Sequence, residues 1–182
     1  MKNTKFTLRD MALCALCAAL MAVCAWISIP VLEIAFTMQT FAVFVTLGLL
    51  GGKRGTISVL VYLLLGLVGL PVFSGFRATE ALIGVTGGYI VGFLASALVY
   101  WLITAVLGEK MWTQLLGMVA GLVVCYAFGS IWFYILYLNG GNTMSFAVIL
   151  AKCVIPFIIP DAAKIALALL LTRRLKKFVP AA

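Results

Sequence analysis

The sequence has no histidine and only five acidic residues, at positions 10, 33, 80, 109 and 161, no two of them adjacent or near one another in the chain. Without imidazole there is no Ser–His or Cys–His nucleophile and no histidine metal ligand. Without paired carboxylates there is no evident acid–base couple for hydrolysis. Five cysteines (14, 17, 24, 125 and 153) all lie in apolar stretches, and Cys14-x-x-Cys17 lacks the second pair that a zinc site needs, so they read as small core residues. "GGKRG" at 51–55 has glycines and a lysine but not the G-x-x-x-x-G-K-[ST] frame of a phosphate loop. These absences predict a chain that is not an enzyme, binds no metal, uses no cofactor and carries no ATPase of its own.

Charge is scarce as well. Charged residues make up 10% of the 182 positions, against about 25% in soluble domains, while 65% are hydrophobic and the mean hydropathy is +1.24. A soluble fold of this length cannot bury so much apolar surface. Segments 11–29, 81–108, 111–151 and 165–172 contain no charged residue, and a membrane-spanning helix needs about 20 predominantly apolar residues. The chain reads as an all-α integral membrane protein, a single unit over 1–182.

What charge there is falls between the apolar segments. A net charge of +8 without a basic domain is topogenic and argues against nucleic-acid binding. Pro, Gly, Asn and charge clusters place six transmembrane helices near 7–29, 36–52, 55–70, 81–107, 112–138 and 150–174. Lys2, Lys5 and Arg9 ahead of an apolar stretch resemble a signal peptide, but the stretch is too long and more spans follow, so an uncleaved first helix is expected. With the amino terminus inside, the inner segments hold Lys2, Lys5, Arg9, Lys53, Arg54, Lys110, Arg173, Arg174, Lys176 and Lys177, and the outer loops only Arg77. The positive-inside rule therefore puts both termini in the cytoplasm.

Against this background "IPFIIPDAAKIALALLL" (155–171) stands out, because Asp161 and Lys164 sit in an otherwise apolar run. At i, i+3 they share a helix face, and an unpaired charge at mid-membrane costs roughly 2.5–3.5 kcal/mol. Asp161 precedes Arg173 by about 18 Å of helix, which sets it near the bilayer midplane. Pro156 and Pro160 predict a kink or a late helix start there, and irregular backbone at that depth must be buried or line a cavity. The pair is either a self-neutralising structural lock or a donor and acceptor for a small polar ligand. Lys152, near the outer end, can snorkel and is given no role.

Three outward stretches add polar or permissive residues: Thr37, Gln39 and Thr40 in "FTMQTFAVF"; Phe73, Ser74, Gly75 and Arg77 in "GLPVFSGFRATE"; Thr86, Gly87, Gly88 and Tyr89 in "GVTGGYIVGF". The glycines suit close approach of a ligand or, through GxxxG spacing, helix packing. On the first helix, Ala15/Ala19 and Ala18/Ala22 have small-xxx-small spacing, for packing within the protein or against a partner.

Taken in order, "FTMQTF", "GLLGGKRGTISVLVYLLLGLVGLPVFSG", "GVTGGYIVGF" and "IPFIIPDAAK" resemble the BioY family, the biotin-specific S components of energy-coupling-factor transporters. The resemblance covers most of the chain, with Val85 where the pattern has proline and a bulkier, more charged "FRATEALI" in the outer loop. It implies an S-component-like bundle of six helices, N-in and C-in, in the cytoplasmic membrane of a prokaryote. It also implies an outward-opening vitamin site and partners in the form of a transmembrane coupling protein and two ATPase subunits. Asp161 and Lys164 match the family's D-x-x-K ligand pair and Tyr89 its GGY tyrosine, and Ala15, Ala19 and Ala22 match the coupling face. The expected biotin contacts are Asp161, Lys164, Tyr89, Arg77, Gly87, Gly88, Phe73, Ser74, Gln39 and Thr37. In that reading Asp161 accepts from a ureido N–H and Lys164 donates to the ureido oxygen. Arg77, or else Lys164, neutralises the carboxylate, and Phe73, Tyr89 or one of the tryptophans walls the ring. The alternatives are an S component for another vitamin or a non-catalytic structural membrane subunit.

Overall fold

The computed structural model describes residues 6–30, 34–141 and 145–178. Its helices are α1 (Leu8–Trp26), α2 (Gln39–Leu67), α3 (Thr79–Ile83), α4 (Gly87–Leu107), α5 (Met111–Asn139), α6 (Phe146–Cys153) and α7 (Ile155–Leu175), with single 3-10 turns at Ser74–Phe76 and Lys176–Phe178. Five of the helical stretches are long and apolar enough to cross a membrane, and large apolar side chains cover their outer faces. Such a surface is stable against lipid and not against water.

Helix α1 starts at a capping box: the Thr7 hydroxyl accepts from the Asp10 N–H (3.3 Å) while the Asp10 carboxylate accepts from the Thr7 N–H (2.9 Å). The same carboxylate pairs with Arg54 at 3.0 Å, tying the start of α1 to the middle of α2. Helix α2 is two arms folded back on each other. Gln39 Nε2 donates to the Tyr62 hydroxyl at 2.7 Å, whereas a straight helix would hold those residues about 34 Å apart. The reversal sits at one residue, Gly51, with φ 77° and ψ 175°, a region essentially open to glycine alone. The expected helices at 36–52 and 55–70 are these arms, and the expected turn at 51–55 contracts to Gly51, with residues 52–55 already helical. A Cβ on Gly51 would also lie 2.7 Å from a Glu109 carboxylate oxygen. Gly51→Ala is expected to lower unfolding stability by about 1–3 kcal/mol, read as a fall in the melting temperature of the detergent-solubilised protein; an unchanged melting temperature would show that the arms do not depend on this turn.

Three other boundaries move. Residues 36–37 pair with 28–29 as a two-stranded antiparallel ribbon, β1 (Ser28–Ile29) with β2 (Phe36–Thr37), Ile29 opposite Phe36, so helix begins at Gln39 rather than at 36. The expected helix 81–107 is divided into α3 and α4 by extended backbone at Gly84. The expected helix 150–174 is divided at Val154 (φ −123°), before both prolines. Pro156 then occupies the first turn of α7, where its missing N–H is harmless, and Pro160 is carried inside the helix. The proline signal thus lies just after the break it predicts.

The core runs between α1, both arms of α2, α4, α5 and α7, around Met21, Phe44, Leu47, Tyr62, Tyr100 and Met118. Helix α5 packs on α4 at very short range. At Gly88 a Cβ would run into the Trp132 side chain, so this position works as a contact between helices. The Tyr62 hydroxyl in turn donates to the Val72 carbonyl at 3.0 Å, and Tyr62 meets Phe73 edge-on, with ring centroids 5.4 Å apart. This chain of contacts fixes the start of α2 beneath the loop that follows it.

Candidate ligand site

Where α2, α4, α5 and α7 converge under the 73–77 loop, their side chains line a cavity whose empty space, open mouth included, is about 690 Å³. The envelope is that of a small-molecule site.

Asp161 and Lys164 lie at its base, 3% and 4% exposed, with Nζ 2.7 Å from Oδ1. The turn of α7 after Val154 delivers both to one face. The first arm of α2 contributes Thr40, whose hydroxyl donates to Asp161 Oδ1 at 3.3 Å and accepts from Lys164 Nζ at 3.2 Å. Helix α5 contributes Tyr126, whose hydroxyl donates to Asp161 Oδ2. Phe36 lies under the ammonium, 4.2 Å from Nζ to the ring centroid, a favourable place for a desolvated cation.

The remaining valence of the pair follows by subtraction. A carboxylate offers about four acceptor positions. Among the described residues, Oδ1 has its two filled by Lys164 and Thr40, and Oδ2 has one filled by Tyr126, leaving a single acceptor on Oδ2. An ammonium has three protons; among the described residues one goes to Asp161 and one to Thr40, leaving a single donor. One acceptor beside one donor, on two buried side chains, is the complement of a ring edge that presents N–H next to C=O. A group that leaves either unmet forfeits about 1–3 kcal/mol, more where charge is involved.

The expected ligand residues divide in two. Thr37, Gln39, Ser74, Arg77 and Tyr89 join Asp161 and Lys164 around the cavity. Tyr89 presents its ring, since its hydroxyl is within 3.2 Å of Ser130 Oγ. Arg77 stands at the loop, its Nε donating to the Ser74 carbonyl at 3.1 Å, and its guanidinium forms no salt bridge among the described residues. Phe73, Gly87 and Gly88 do not line it. Phe73 is fully buried on Tyr62 and Gly66, Gly87 lies against the Leu82 carbonyl, and Gly88 against Trp132. These three are packing positions. Glu80 is turned to the backbone, where the Ala78 N–H (2.8 Å) holds its carboxyl below the usual carboxylate range.

Of the small residues on α1, Ala15 and Ala19 face outward, while Ala22 is only 7% exposed and belongs to the core. Ala22 is therefore removed from the outward face, because the exposed stripe continues through Leu16, Leu20 and Val23 instead.

Tyr126, Phe157 and Cys153 also line the cavity, and no sequence signal points to them. Thr40 and Thr86, polar residues of the outward stretches to which the sequence assigns no contact, line it too. Nothing in the sequence separates Tyr126 from Tyr134 and Tyr137 on the same helix; its role depends on a partner 35 residues away.

Comparison with known proteins agrees across sequence and structure. The BioY family model matches residues 1–181. The biotin transporter BioY of Thermotoga maritima is 40% identical over 162 residues, 87% of this chain and 90% of its own length. The probable biotin transporter BioY of Pyrococcus horikoshii is 37% identical over 92% of this chain and 96% of its own length. Among solved structures, the S-component for biotin from an ECF-type ABC transporter superposes with a TM-score of 0.79 at 25% identity, covering 97% of this chain and 95% of the other.

Proposed function

Because this chain belongs to the BioY family, we propose that it is the biotin-binding S component of an ECF-type transporter, a multi-pass membrane protein that captures biotin at the outer face for uptake. The observation that carries the reading is the residual valence of the buried pair. A ureido N–H donates to Asp161 Oδ2 and the ureido oxygen accepts from the remaining N–H of Lys164. The apolar thiophane lies against the rings of Tyr89, Phe93 and Phe157, and the valeryl chain runs toward the mouth, where the Arg77 guanidinium meets the carboxylate. Gln39, Thr37 and Ser74 complete the polar rim.

The family assignment and the charge distribution support six spans with both termini in the cytoplasm of a prokaryote, and a cytoplasmic-membrane location. They also support partnership with a transmembrane coupling protein and two ATPase subunits, which supply ATP hydrolysis that this chain does not perform. Ala15 and Ala19, outward on α1, are the contacts proposed for the coupling protein.

The ligand assignment is tested by competition among vitamins for the purified protein, and the pose by Arg77. Arg77→Gln is expected to weaken biotin about tenfold, the worth of one charge-assisted contact at a partly open site, and to leave the affinity for biotin methyl ester unchanged. Equal losses for acid and ester would move the carboxylate away from Arg77.

A further inference from the structure

Tyr126 touches the site in two ways that the proposed contacts do not use. Its hydroxyl reaches from α5 to Asp161 Oδ2. Its ring borders both the ligand cavity and a second, apolar groove between α5 and α6–α7, lined among others by Val119, Val123, Ile158 and Ala162. Tyr126 therefore forms part of the wall between the ligand and the bilayer, and it decides how many acceptor positions Asp161 has left.

We infer that Tyr126 is a specificity-determining positioning residue: by filling one acceptor position on Oδ2 it limits Asp161 to a single free one, and so restricts the site to a ring that presents one N–H beside a C=O. The inference rests on the ureido reading above. A cyclic guanidinium of the same shape, with N–H in place of the carbonyl oxygen, brings one donor too many. It finds no second acceptor on Asp161 and sets its extra N–H against the Lys164 ammonium. Loss of the Tyr126 hydroxyl opens a second acceptor on Oδ2, which is the one thing such a ligand lacks.

The test compares the affinities of biotin and 2-iminobiotin, the cyclic guanidine of identical skeleton, in wild type and Tyr126→Phe. The biotin preference is expected to shrink about tenfold or more, as follows from one hydrogen bond to a charged group. Phenylalanine keeps the ring, so a residue that only fills space would change both ligands alike and leave their ratio as it was. A folded Tyr126→Phe with an unchanged ratio overturns the inference. Tyr126→Leu, which also removes the hydroxyl, gives the same shift in ratio if the inference holds, and an unchanged ratio there overturns it equally. Asp161→Asn separates the two levels. Biotin binding lost in Asp161→Asn with the ratio unmoved in both Tyr126 variants rejects the role of Tyr126 alone. Undiminished biotin binding by Asp161→Asn rejects the ureido reading and this inference with it.

Discussion

Asp161→Asn is expected to raise the dissociation constant for biotin by about 30-fold or more, and the double change Asp161→Asn/Lys164→Met to recover the stability of the fold without recovering the ligand. Truncating one member of a desolvated, hydrogen-bonded charge pair costs about 2–5 kcal/mol of binding, which converts to 30-fold at the low end and over 1,000-fold at the high end. The amide also brings two N–H donors to a place where Tyr126, Thr40 and Lys164 already donate. Stability falls in the single variant for a separate reason: Lys164, 4% exposed, loses its carboxylate partner and is left, among the described residues, with the Thr40 oxygen and the Phe36 ring beside it. Breaking a buried pair from one side costs about 3–5 kcal/mol, whereas replacing both members by uncharged groups of similar volume is often neutral. Thermal unfolding in detergent and biotin titration, run on the single and double variants, separate the two roles. A double variant that binds biotin normally would make the pair structural.

Ala19→Trp is expected to leave biotin affinity unchanged and to reduce uptake more than about tenfold, with loss of the coupling protein on co-purification. Ala19 points outward from α1, on the far side of that helix from the core, so an indole there meets lipid in the isolated protein. Against a partner helix it stands where a small side chain permits close approach, and overpacking of a fitted contact costs about 1–3 kcal/mol or more. Trp at Ala22 should behave differently, since Ala22 is within the core; it unfolds the protein and so reports nothing about partners. Normal co-purification of Ala19→Trp with the coupling protein would remove α1 from the interface.

Asp161 and Lys164 were legible because charge in an apolar run is expensive and so has to be explained. The helices were legible for the same reason in reverse: long uncharged runs in so small a chain have few other uses. What stayed hidden depends on contacts across the chain. GxxxG spacing at Gly84, Gly88 and Gly92 fits a ligand or a neighbouring helix equally well, and only the approach of Trp132 assigns Gly88 to packing. Phe73 reads as an aromatic in a polar outer loop, yet it is drawn inward beside Tyr62 because Gly66 makes room for it. Thr40 and Tyr126 reach Asp161 from 121 and 35 residues away, separations at which no periodicity operates. Gly51 was visible as a turn, but its φ of 77° is what compresses a five-residue turn into one residue. Ala22 shares a spacing with Ala18 that places both on one side of α1, and that side proves to be the inner one.

The most direct test of the account is a calorimetric titration of biotin into the purified, detergent-solubilised protein. The account predicts saturable binding of one biotin per chain, tight enough to survive dilution and not displaced by other vitamins. Absence of saturable heat from a folded protein, or tighter binding of a different vitamin, would contradict it.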